Sequence, residues 1–169
     1  MSSEQELMQD LAAEGVSVEV FEHQAVFTVD ESAQLHATIP GAHTKNLFLK
    51  GNSGAFWLVT MPHHRRADLK FIAATLGERK LSFGKPDVME QLLGVSPGAV
   101  TPLAAINDRE RRVKVVIDKS FVDSGGNICV HPLRNTATVS MPIAGLLRML
   151  ERWQHAPSIL NLDPQVRAG

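Results

Sequence analysis

The sequence predicts an α+β domain, with a mixed, largely antiparallel central sheet flanked by helices. Segments with the 3.6-residue period of amphipathic helices are scattered irregularly among segments that alternate or run apolar like strands. The later strands are joined by short Asn-Asp and Ser-Gly-Gly-Asn turns, which favour antiparallel neighbours over long crossovers. A length of 169 residues, 44% of them apolar, suffices for one core. One domain is therefore expected over 1–157, with 158–169 as a C-terminal tail.

The elements follow from punctuation and period. Ser3 and Glu6 form a capping box for a first helix with Leu7, Met8 and Leu11 on its apolar stripe, and Gly15 is its stop. Residues 16–23 alternate as a strand, and a short helix beginning near Asp30 and Glu31 ends before Pro40 and Gly41. Residues 45–50, the turn 51–54 and residues 55–61 read as a hairpin whose second strand is apolar almost throughout, hence central. Residues 67–77 and 86–94 are amphipathic helices closed by Gly77 and Gly94, the second opened by Pro86. From Thr101, residues 101–106, 112–118, 127–132 and 136–141 read as strands, and 142–155 as a closing helix carrying Leu146, Leu147, Leu150 and Trp153 at helical spacing.

The single cysteine, Cys129, provides neither an internal disulfide nor a cysteine-based zinc site, which suits a reducing compartment. The acidic N-terminus has none of the marks of a signal peptide, and no apolar run approaches bilayer length. A cytoplasmic, membrane-free, monomeric protein is the expectation. Net charge is −1, but residues 1–42 hold eight acids and no Lys or Arg, whereas 43–85 hold eight Lys or Arg against two acids. That segment can form a local positive surface for phosphates, or the fold can disperse it as solvated charge.

Seven histidines are present, yet none falls in HExxH or a comparable pair, and His63 and His64, if in a strand, point to opposite faces. GxSxG, GxGxxG and Walker patterns are absent, so no metal or cofactor is expected. Three features remain. Lys45 shares a strand face with Leu47 and Leu49, either snorkelling to water or serving as a cation at a pocket mouth. In the loop 93–102, Pro97 and Gly98 fit the centre of a type II turn, which would bare backbone N–H groups, or merely connect helix to strand. His131, pinned by Pro132 at a strand end, is a structural or a working imidazole.

Taken together, Lys45-Asn46-Leu47-Phe48-Leu49, the Gly98-x-x-x-Pro102 loop and His131-Pro132 before Asn135-Thr136-Ala137 resemble a known family. It is the bacterial prolyl-tRNA-synthetase-associated (YbaK-like) editing family, in its free-standing alanyl-tRNA(Pro) deacylase branch, and the likeness spans nearly the whole chain. The resemblance implies a metal-free hydrolase acting in trans on tRNA(Pro) mischarged with alanine, with prolyl-tRNA synthetase a transient partner. Lys45, Asn46 and His131 then take the catalytic positions. Gly98, Ala99, Val100, Thr101 and Pro102 hold the substrate, and Phe27 and Val29 wall a small pocket for the amino acid. Lys50, Arg79 and Lys80, more than Arg65 and Arg66, are placed against the acceptor stem. A deacylase for another small aminoacyl-tRNA such as cysteinyl-tRNA(Pro), a non-catalytic nucleic-acid-binding module and a hydrolase of free amino-acid esters are the alternatives.

Overall fold

A computed structural model describes residues 1–26 and 29–167, without the side chains of Val29, Val166 and Arg167. In chain order the elements are α1 (Glu4–Ala13), β1 (Glu19–Glu22), α2 (Val29–Thr38), β2 (Ala42–Gly51), β3 (Phe56–Pro62), α3 (Leu69–Leu76), β4 (Leu81–Phe83) and α4 (Pro86–Leu93). After two 3-10 segments, Pro97–Ala99 and Pro102–Asn107, come β5 (Val113–Asp118), α5 (Lys119–Ser124), β6 (Asn127–Val130), β7 (Ala137–Pro142), α6 (Ile143–Arg152), β8 (Ser158–Leu160) and α7 (Pro164–Arg167). The α+β expectation holds. The capping box is formed, with the Ser3 side chain accepting from Glu6 N, and Gly77 and Gly94 end α3 and α4 in the left-handed conformation that favours glycine.

The eight strands form one mixed sheet in the order β1-β7-β6-β2-β3-β5-β8, with β4 also on β2. Pairs β1-β7, β6-β7, β2-β3 and β2-β4 are antiparallel; β2-β6, β3-β5 and β5-β8 are parallel. Strand β3 is apolar except for Thr60 because both its faces are covered. Leu58 belongs to the larger core with α1, α4 and α6, while Trp57, Val59 and Met61 pack with Ile72, Ala73 and Leu162 on the other side. Helix α6 buries Ile143, Leu146, Met149 and Leu150 along one stripe.

Several expectations are corrected. Residues 101–106 are not a strand. Thr101 accepts from Leu103 N and Pro102 opens a 3-10 segment whose Leu103, Ala104 and Ala105 are buried, so an apolar run short enough to suit a strand is here a core helix turn. Gly98 is not in a type II turn, for its φ is not positive; it lies in the Pro97–Ala99 3-10 turn, closed by Ala99 N donating to Ser96 O at 2.9 Å. His63 and His64 follow β3 in a turn. Nor do residues 158–162 form a free tail. Strand β8 pairs with β5, Leu162 is 1% exposed, and Asp118 accepts from Leu162 N while holding Arg65, which also reaches Asp163. Burying one leucine side chain contributes about 1.5–3 kcal/mol, which adds to the β8 pairing and the Asp118 bonds that hold this segment on the domain.

Candidate functional site

The sheet opens beside β2. On the side away from β3, β2 pairs with β6 only at Ala42 and His43, and with β4 only from Leu49 to Gly51. Where β2 and β6 part lies a pocket of about 360 Å³, walled by β2, β6, β7, α2 and the Pro97–Ala99 turn. Lys45, Asn46, Gly98, Val100 and His131 all line it. A wider groove of about 680 Å³ runs between residues 65–70 and 162–165, but the Arg65 charge there is spent on Asp118 and Asp163.

Thr44, Asn46, His131 and His23 are held from behind. Thr44 Oγ1 donates to Cys129 O (2.8 Å) and accepts from Asn46 Nδ2 (3.1 Å), while Asn46 Oδ1 accepts from Thr60 Oγ1 (2.6 Å). That chain fixes the carboxamide and leaves it a second N–H to give. His131 donates Nδ1–H to Ala137 O (2.8 Å), which makes Nε2 the acceptor in the neutral ring. Burial lowers its pKa below the usual histidine value, opposed by that hydrogen bond and aided by His23, so the neutral acceptor form is the one held. His23 is fixed likewise, between Gln24 O and the Thr138 hydroxyl.

Lys45 is half-buried and has no ion pair among the described residues, so its charge is left for a ligand. Gly98 is exposed at the rim. A Cβ there would stand 3.0 Å from Asn135 Nδ2, so glycine serves for space rather than for φ. Its N–H meets no acceptor among the described residues and sits at the start of a 3-10 turn, where donors are unsatisfied. The 131–136 loop is clamped by Arg134, whose guanidinium bonds Glu4 at 2.7 Å and Glu22 at 2.6 Å and holds the Glu22 carboxyl below its usual value.

Five of the seven histidines line this one pocket. The His36 ring stacks on His43 (4.1 Å) and meets His63 edge-on (4.3 Å), joining α2 to the sheet. Burial, with the neighbouring His43 and His63, lowers the His36 pKa to about 4; burial first, then Lys45, lowers His63. Among the described residues no group of His, Cys, Asp and Glu is arranged to hold a metal. Cys129 also lines the pocket, but burial pushes its thiol up to about 11, so it is no thiolate nucleophile near neutrality.

Of the other residues singled out in the sequence, Ala99, Thr101 and Pro102 are buried behind Gly98 and Val100 and do not line the pocket. Lys50, Arg79 and Lys80 are exposed at the far end of β2, outside it. Phe27 lies outside the described residues, as does the side chain of Val29, whose backbone opens α2. Sequence reasoning missed His23, His36, His43, His63, Thr44 and Asn135. The count of histidines was visible, but their convergence depends on pairing between segments far apart in the chain.

A cation, an oriented carboxamide, a neutral imidazole and a free backbone donor around a small pocket form an arrangement that can hold an ester and orient a water, with no side-chain nucleophile among them. The chain matches the aminoacyl-tRNA editing domain over residues 23–149 and belongs to that family of aminoacyl-tRNA hydrolases. It is 38% identical to prolyl-tRNA synthetase associated domain-containing protein 1 of Bos taurus, covering 93% of this chain and 94% of that protein. It is 31% identical to the prolyl-tRNA editing protein ProX of Acetoanaerobium sticklandii, over 89% and 92%. A crystal structure of a candidate trans-editing enzyme for prolyl tRNA synthetase superposes with a TM-score of 0.70 at 18% identity, covering 96% of this chain and 98% of that one, which shows the shared fold.

Proposed function

We propose that this hydrolase removes alanine from mischarged tRNA(Pro), acting in trans, as a cytoplasmic monomer that meets prolyl-tRNA synthetase only transiently. The observation that carries the reading is the convergence of Lys45, Asn46, Gly98 and His131 on one pocket of about 360 Å³. The prolyl-tRNA functions in the names of its relatives support the choice of tRNA.

In this reading Lys45 and Asn46 bind the phosphate and ribose of the terminal adenosine. The Gly98 N–H donates to the ester carbonyl oxygen, where negative charge develops. Water attacks the carbonyl carbon, oriented by Nε2 of His131 or by the ribose hydroxyl next to the ester. The tetrahedral intermediate then collapses, the ester C–O bond breaks, the ribose oxygen takes the proton released by water, and alanine departs. Proline is refused by bulk, and Phe27 and Val29 remain the proposed wall. Lys50, Arg79 and Lys80 take the acceptor stem.

The test is deacylation of alanyl-, prolyl-, seryl- and cysteinyl-tRNA(Pro), with and without chelator, by the native protein and Lys45→Ala. Fast, chelator-resistant loss of alanine alone, abolished by the substitution, is the expected result. Preference for cysteine would redirect the assignment to that substrate, and no turnover on any of them would overturn it.

A further inference from the structure

Phe83 is 64% exposed, at the end of the three-residue edge strand β4, and makes no ring contact among the described residues. An isolated exposed apolar side chain is ordinary; the setting of this one is not. Register places Phe83 directly opposite Leu49, and β2 runs against β3 without a break from Thr44 to Lys50. Residues directly opposite share a face, as do residues two apart along a strand, so Phe83 lies on the same face as Leu49, Leu47 and Lys45. Leu47 and Leu49 are packed into the second core, so the way from the pocket lysine to the exposed ring is the edge of β2 between β6 and β4, which neither strand pairs.

Cations flank that ring along the chain. Lys80 lies one residue before β4 and Lys85 two residues after Phe83, whereas Lys50, paired opposite Ser82, is on the other face with its Nζ 5.8 Å from the Phe56 ring centroid. Asn52 accepts from both Arg79 N and Lys80 N, which fixes where these two residues leave the turn. Arg79, Lys80 and Lys85 are exposed, and none has an ion pair among the described residues. Unpaired cations around a free aromatic face suit a single-stranded nucleic acid, whose phosphates take the charge while a base stacks on the ring.

We propose that Phe83 is a stacking platform for a base in the unpaired 3′ end of the tRNA, a few nucleotides before the aminoacylated adenosine. This rests on the pocket being the deacylation site. Four residues along a strand and one step across it put Lys45 and Phe83 roughly 14 Å apart. A stacked strand covers that distance in about four nucleotides and an extended one in fewer. The span matches the single-stranded end of a tRNA, so a base on Phe83 sets how far the terminal ester reaches into the pocket. The basic residues hold the backbone on either side.

The test compares native protein, Phe83→Ala and Phe83→Trp on alanyl-tRNA(Pro) and on the same tRNA made abasic at each unpaired nucleotide before the terminal adenosine. Phe83→Ala raises KM about 5- to 100-fold with kcat little changed, and Phe83→Trp restores it. One abasic position raises KM for the native protein and leaves Phe83→Ala unaffected, which identifies the stacked base. An unchanged KM in Phe83→Ala, or the same loss on every abasic substrate, overturns the proposal. If the native protein deacylates nothing, the functional reading has failed, and binding of uncharged tRNA decides on Phe83 alone. Weakened binding by Phe83→Ala then upholds the stacking platform, and equal binding rejects it.

Discussion

The two ends of β2 are built for different work. At the inner end Lys45 and Asn46 are half-buried, and the carboxamide is held by neutral hydroxyls, Thr44 and Thr60. At the outer end Lys50 is exposed beside Arg79 and Lys80, and the turn is held by a buried carboxylate. Glu78 accepts from Ser53 N, Ser53 Oγ and Trp57 Nε1, and these hydrogen bonds hold its pKa below the usual carboxylate value against the effect of burial. Five residues of regular strand keep the two ends about 17 Å apart. Under the proposed function, one stiff element fixes the distance between the reacting ester and the phosphates that carry it, which makes rate and affinity separable by mutation.

The largest effect that sharpens this contrast belongs to Asn46→Ala, which removes an oriented donor from the pocket. A fall in kcat of about 100-fold is expected, because the terminal ribose is no longer held in line for attack, with a smaller change in KM for alanyl-tRNA. Replacing Lys50, Arg79 and Lys80 together by alanine does the reverse. KM rises about 10-fold or more at low salt with kcat preserved, and the slope of log KM against log salt drops by about 0.7–0.9 for each phosphate no longer neutralised. Glu78→Gln leaves these cations in place but loosens the turn that presents them. It should raise KM severalfold and lower the midpoint of thermal unfolding, whereas a change in kcat alone would break the contrast.

The smallest effect concerns α2, which covers the inner end without burying a residue of its own among those described and rests on the sheet through His36. The folded state holds His36 neutral down to about pH 4, whereas the unfolded chain protonates it near 6.5. His36 therefore contributes stability above pH 6.5 that is lost as pH falls toward 4. His43, His63 and Lys45 face the same ring system, and His63, whose pKa burial also lowers, shares the loss. The thermal midpoint should decline across that window, and His36→Asn should flatten part of the decline.

How much of this was legible follows from what each feature depends on. The helices announced themselves through local signals: the Ser3–Glu6 box, Pro86 and the glycines at 77 and 94. The hairpin 45–61 showed its own alternation and turn. Strand β4, helix α5 and strand β8 did not, because three to six residues hold too little period, and β8 is defined by its partner β5. The parallel pairings were hidden for the same reason. At the site, Lys45, Gly98 and His131 stood out in the pattern of their own segments and the resemblance added Asn46 and a role for each, whereas a histidine such as His36 shows its place only when α2 lies across β2 and β3.

The central claim, that chemistry is confined to the inner end of β2, is tested most directly with alanyl-adenosine, a substrate that fills the pocket and has no acceptor stem. The rate should match native protein when Lys50, Arg79 and Lys80 are all replaced by alanine, and should vanish in Lys45→Ala. An equal loss in both variants on this fragment would contradict it.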